Sequence, residues 1–215
     1  MLSNILRDLL DKELEKRGLI FVRYADDGNN YVKSQRAGER VMASITEFIE
    51  QGLRLRVNRE KSAVDKPSKR KFLGFTVGVQ GKASPARKSI ARFKDKVRKI
   101  TSPTKGLSIE QVFEKLNPLL RGWLNYFGNC DTPSTLKRLG EWVRHRVRTV
   151  QWRLWKRSRK RYDELVKLGV NEETARMTVG SAKGPYRIAQ SPALHTGLNC
   201  KWFSNHKMPD FICHS

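Results

Sequence analysis

Apolar residues recur at helical spacing from the start of the chain. Ile5, Leu6, Leu9, Leu10 and Leu14 share one face of a helix over 5–16, and Gly18 is placed to stop it. The period then changes. The run Leu19-Ile20-Phe21-Val22 predicts a strand, and the turn-rich Gly28-Asn29-Asn30 predicts a hairpin whose returning strand opens with Tyr31-Val32. Ser34 is a fitting cap for a second helix with Ala37, Val41, Ile45, Phe48 and Ile49 in one stripe, ended by Gly52. Alternation in Leu53-Arg54-Leu55-Arg56-Val57 predicts a further strand, and the basic turn 66–70 leads to a last strand from Phe72 to Val79.

The polar stretch 80–89 contains Gly and Pro and marks a linker. Beyond it the pattern is helical throughout. Ile90, Phe93, Val97 and Ile100 form one stripe. Ser108 and Gln111 make a capping-box pattern for a helix with Val112, Phe113, Leu116, Leu119 and Leu120 inward, kinked at Pro118. Thr132-Pro133 opens a long helix over 133–161 with Leu136, Leu139, Val143, Val147, Val150 and Leu154 on one side. Shorter helices follow over 159–168 and 172–179, and the tail after Gly180 is too weakly periodic to assign. The expected class is α+β: an α/β piece over 1–79, the linker, a helical domain over 90–179 and a tail over 180–215.

Composition changes the picture chiefly through charge. The 215 residues carry a formal net charge of +23. Residues 1–82 hold 17 Lys and Arg against 11 Asp and Glu, a net +6, whereas residues 83–215 hold 27 against 10, a net +17. Such an excess concerns partners, not fold, and phosphate backbones are its natural counter-charge. No apolar run approaches the roughly 20 residues that span a bilayer. Asp8, Asp11, Glu13 and Glu15 stand where a signal peptide avoids acids. Three cysteines without a C-x-x-C pair suit a reducing compartment, and the expectation is a cytoplasmic protein with no membrane partner.

Asp26 and Asp27, at the expected hairpin tip, repel each other unless a cation lies between them, and a divalent metal on oxygen ligands is the usual remedy. The plainer reading is that Asp27-Gly28 only makes a tight turn. Gly74 within a strand would let a ligand approach the backbone, or mark a bulge. Between Lys137 and Arg161 stand eleven basic residues against one acid, Glu141, with Trp142, Trp152 and Trp155 among them. That balance favours a phosphate-tracking face over a solvated one, with Arg144, Arg148, Arg153, Lys156 and Arg159 as candidate nucleic-acid contacts. His195, Cys200, His206, Cys213 and His214 match no zinc spacing.

Taken in order, Tyr24-Ala25-Asp26-Asp27, the block from Leu53 to Ser62 and Lys71-Phe72-Leu73-Gly74-Phe75 resemble the last three blocks of a reverse transcriptase palm. Leu120-Arg121-Gly122-Trp123-Leu124-Asn125-Tyr126-Phe127 resembles the signature of the maturase, or thumb, domain of bacterial group II intron proteins. The resemblance to group II intron-encoded reverse transcriptase/maturases runs from about Leu2 to Leu198. It implies a partial palm followed by an all-α maturase domain, with the tail packing on the thumb. It also implies Mg²⁺ on the catalytic carboxylates Asp26 and Asp27. Primer and template would then contact Tyr24, Asn58, Lys61, Ser62, Phe72, Leu73 and Gly74. The implied partners are intron RNA and an RNA/DNA primer–template, and the implied activity is RNA-directed DNA synthesis in intron splicing and mobility.

The family's fingers and the palm strand bearing its first metal-binding Asp have no counterpart here, and Gly28 and Asn29 replace bulky apolar residues. The expectation is a truncated or split form, inactive alone, that a complementary N-terminal fragment would complete. The competing expectation is a non-enzymatic remnant that only holds structured RNA. A ribosomal-type basic protein fits the charge but gives no reason for these blocks.

Overall fold

The structure is a computed structural model that describes residues 2–25, 27–78 and 81–211, with side chains from residue 8 onward. The chain is mostly helical with short strands and divides into two compact units, Met1–Val79 and Gln80–Ser215. Among the described residues no helix is long and apolar enough to cross a membrane.

Unit 1 opens with α1 (Leu2–Lys16). Gly18, at φ 65°, ends it in a Schellman closure: Gly18 N donates to Glu15 O and Leu19 N to Leu14 O. A hairpin follows, β1 (Ile20–Tyr24) against β2 (Asp27–Tyr31), with Ile20 opposite Tyr31 and Tyr24 opposite Asp27. The ladder closes at Tyr24 and Asp27, and Gly28, Asn29 and Asn30 belong to the returning strand instead of the tip. Ala25 takes the left-handed backbone, φ 51°, that tight hairpin turns favour.

Ser34 caps α2 (Gln35–Glu47) by accepting from Ala37 N, and the helix runs on into a π-helical turn, Phe48–Gly52. The strand expected over 53–57 does not form. Arg54 sits at φ 54°, which breaks an extended backbone, and Leu55 is exposed. The strand expected from Phe72 is shorter, β3 (Phe75–Val77). Among the described residues Leu14 is the one fully buried apolar side chain of this unit, and Ile20, Val22 and Tyr24 stand exposed along one face of β1.

In unit 2 the stretch read as a linker holds β4 (Ala83–Pro85) and the first turn of α3 (Arg87–Ile100), with Ala86 and Ser89 buried. Ala83 is strapped at both ends: its N–H donates to Asp131 Oδ2 at 2.8 Å and its carbonyl accepts from Asp131 N at 3.0 Å. The capping box forms at Ser108 and Gln111, and α4 (Ile109–Phe127) runs through Pro118 as one helix. Its inward face is Val112, Phe113, Leu116, Leu120, Trp123 and Phe127. Each of the two leucines is wholly buried, which contributes about 1.5–3 kcal/mol apiece.

The long helix is α5 (Pro133–Leu154). It stops at Trp155, whose ψ of 67° is not helical, and α6 (Ser158–Lys167) restarts after it. The break lets Trp155 turn inward beside Trp152, with Leu165, Val170, Leu194 and Leu198 around them. After α7 (Glu172–Val179) the tail forms three short helices, α8 (Pro185–Ile188), α9 (Pro192–Gly197) and α10 (Cys200–Asn205). They contribute the buried Ile188, Ala193, Leu194 and Phe203, and the segments beside them add Leu198, Met208 and Phe211.

Candidate nucleic-acid interface

At the hairpin tip Asp27 is the first residue of β2 and is exposed; Asp26 lies outside the described residues. Tyr24, directly opposite Asp27, is 63% exposed and presents its ring on the same face of the ladder. Arg23 braces the tip from the other face. Its Nε donates to Asp11 Oδ1 at 2.6 Å, its Nη2 reaches the second carboxylate oxygen, and its Nη1 donates to Ala25 O at 3.1 Å. The hydrogen bond from Arg23 holds the Asp11 carboxyl below its ordinary range. Among the described residues no three His, Cys, Asp or Glu side chains converge as a metal site would need.

The other palm-block nominees form two local turns. Asn58 folds over its own successors: its Oδ1 accepts from Lys61 N at 3.2 Å and its carbonyl from Ser62 N at 3.0 Å. Lys61 keeps its ammonium in solvent, while Ser62 is half-buried. Phe72 and Phe75 exchange two backbone hydrogen bonds of 2.9 Å, closing a turn in which Leu73 and Gly74 have φ of 50° and 82°. Positive φ at both central residues defines a type I′ turn. Gly74 thus lies in a turn and not within a strand.

The five basic nominees separate by burial. Arg148 is 6% exposed: its Nε donates to Leu198 O at 3.0 Å and its guanidinium carbon lies 5.3 Å from the Phe203 ring centre. Burial, with Arg144 nearby, pushes its pKa down to about 10. It ties the tail to α5, which corrects its reading as a surface contact. Arg144 reaches Asp210 at 3.3 Å. Arg153 is half-buried, and Lys156 and Arg159 are exposed beyond the α5–α6 break.

Three further cations escaped the sequence reading. Lys94 and Arg98 of α3 lie 5.3 and 5.6 Å from the Trp142 ring centre. Their i, i+4 spacing was the signal that could have found them. Arg146 donates to Thr101 Oγ1 from both Nε and Nη2, at 3.0 and 2.8 Å, and burial lowers its pKa.

Comparison with protein families decides what these parts are. Residues 1–77 match the reverse transcriptase (RNA-dependent DNA polymerase) model, and residues 90–169 match the group II intron, maturase-specific domain. Together the two matches are consistent with a group II intron reverse transcriptase/maturase. No curated protein matches it.

The reverse transcriptase match contains Asp27 and the two palm-block turns. The maturase match runs from within α3 to the second residue after α6, so all five basic nominees fall inside it and α7 to α10 fall beyond it. In the maturase signature, Trp123 and Phe127 are buried with ring centres 4.8 Å apart, and Trp123 lies 4.8 Å from Phe93. Arg121, Asn125 and Tyr126 are exposed. Of the Cys and His residues in the tail, His206 stacks on Phe113 at 4.5 Å and its Nδ1–H donates to Trp202 O at 2.8 Å; Cys213 and His214 lie outside the described residues.

Proposed function

We propose that unit 2 binds the folded RNA of a group II intron, in splicing and mobility, and that unit 1 is the C-terminal part of the palm that copies such RNA into DNA. The observation that carries this reading is the junction, in one chain, of a reverse transcriptase segment with a maturase-specific domain. The net +17 of residues 83–215 supports it, since backbone phosphates supply the matching charge.

Carboxylate oxygens are hard donors that suit Mg²⁺, and Asp26 and Asp27 are the residues that would hold it. When bound, such ions activate a primer 3′-hydroxyl and neutralise phosphate charge. Tyr24 sits beside Asp27 on one face, where its ring supports the primer end, and Lys61 offers an exposed ammonium to a phosphate. A two-metal clamp needs more carboxylate than one Asp pair supplies. By this proposal the 215-residue chain extends no primer alone and does so only beside a chain that contributes the rest of the palm.

The test is binding of the purified chain to structured RNA across a salt series, together with primer extension with and without an N-terminal reverse transcriptase fragment. The expected result is a linear loss of log affinity with log salt, no extension alone, and rescued extension that Asp27→Asn abolishes. Salt-independent binding would refute the RNA-binding reading. Extension that survives Asp27→Asn would remove the Asp pair from the chemistry. RNA binding that no complementing fragment converts into synthesis would favour the remnant that only holds RNA.

A further inference from the structure

Arg138, Glu141, Trp142, His145 and Arg148 follow one another on α5 at steps of three or one, so they share one face of that helix. The tail packs across this face through α8, and Gln190 and His195 join it to border an open cleft of about 520 Å³. That volume lies within the range of small-ligand sites. Gln190 and His195 lie outside the segment matched as maturase-specific.

Arg148 and His145 form the buried part of the cleft. His145 Nε2–H donates to Tyr186 O at 2.7 Å. Around the rim, Arg138, Glu141, Gln190 and His195 are exposed, and their side chains make no hydrogen bond or ion pair among the described residues. Burial, with Arg148, His145 and Arg144 nearby, keeps His195 below its ordinary pKa, so near pH 7 it meets a ligand as a neutral donor and acceptor.

Cations alone would suit a bare phosphate. Glu141 argues against that ligand, because its carboxylate repels an anion and asks for hydrogen-bond donors. A ligand that joins an anionic group to a flat ring with N–H donors meets both demands. An unpaired nucleotide does so, since bases outside a duplex expose their edges and stack on aromatic or guanidinium planes. Among bases, guanine offers adjacent N–H groups to a carboxylate. Trp142 is half-buried in the lining, with Lys94 and Arg98 near its ring, and the Arg138 guanidinium offers a planar group at the rim.

We propose that this cleft receives an unpaired guanosine of structured RNA, with Arg138 and His195 on its phosphate and Glu141 on its base edge. The inference rests on the RNA-binding reading above and goes beyond it by placing base recognition at the tail.

The test uses the whole chain and two fluorescein-labelled RNA hairpins, identical except that one carries a single bulged guanosine, followed by anisotropy. The unaltered chain is expected to bind the bulged hairpin on the order of tenfold more tightly. Glu141→Ala and Arg138→Gln, both at exposed helical positions, should each lose most of that preference. Glu141→Ala should meanwhile bind the fully paired hairpin at least as well as the unaltered chain, because it removes a repelling charge. A merely electrostatic Glu141 would raise both affinities alike and keep the preference, which overturns the proposal. Equal affinity of the unaltered chain for the two hairpins also overturns it, while leaving the maturase reading in place. Failure to bind either hairpin overturns both.

Discussion

Gly140 lies on the buried side of α5, where an added methyl group would stand 2.7 Å from Phe211 Cβ and 3.1 Å from its Cγ. Carbon atoms in contact prefer about 3.5–4.0 Å, so Phe211 would have to retreat by about 0.8 Å or more. It has little freedom to do so. Its Cβ is tied to the backbone, and its ring centre lies 6.0 Å from that of Phe93 and 5.9 Å from that of Trp123. Overpacking of this kind costs about 1–3 kcal/mol, while Gly→Ala within a helix gains about 1 kcal/mol. Gly140→Ala should therefore destabilise unit 2 by about 1 kcal/mol.

In a Phe211→Gly background the clash is gone, and the same change should stabilise by about 1 kcal/mol. The sign reversal, a coupling of about 1–3 kcal/mol, is the quantity to measure. Urea unfolding followed by tryptophan fluorescence reads it cleanly, because Trp123, Trp142, Trp152, Trp155 and Trp202, all five tryptophans of the chain, belong to unit 2. Stabilisation by Gly140→Ala in both backgrounds would refute the close approach of Phe211 to α5.

Three other outcomes are expected. Changing Lys156, Arg159 and Lys160 to Gln should weaken binding to structured RNA irrespective of sequence and reduce the salt slope by up to about 1 per lost contact, measured by anisotropy across a salt series. Arg148→Met should instead destabilise unit 2 by about 1–3 kcal/mol, for the Leu198 carbonyl left without its donor, read as a lowered urea midpoint, with the salt slope of the folded variant unchanged. Asp11 has a folded pKa below its ordinary 3.8, so its contribution to unit 1 is complete above that pH and is lost as pH falls through the lowered value. Acid unfolding followed by far-ultraviolet circular dichroism should show this loss, and Asp11→Asn should remove that part of the acid dependence.

The features readable in the sequence were those whose partners lie within a turn of each other. The Ser108–Gln111 box and the Ser34 cap each close over three residues, so local pattern sufficed. The turn was expected too late in the chain because Asp27-Gly28 is a strong local turn signal. The ladder that pairs Tyr24 with Asp27 overrode that local preference. Arg148 was read as a surface cation because pattern counts arginine as polar. The groups that bury it, Leu198 and Phe203, are fifty or more residues away. The tail was opaque because helices of four to six residues are too short to display a period. The candidate cleft stayed hidden with it, since half of its rim is made there.

The anchoring of α5 by the tail has a consequence for biosynthesis. A ribosome delivers α5 well before the carbonyl of Leu198 and the rings of Phe203 and Phe211 that complete its surroundings. Until those residues emerge, Arg148 has neither its acceptor nor its ring, and the cleft has no second wall. The nascent chain can thus display a basic helix before the groups that anchor it have been made. On that schedule the basic face of α5 exists before the cleft that the tail completes.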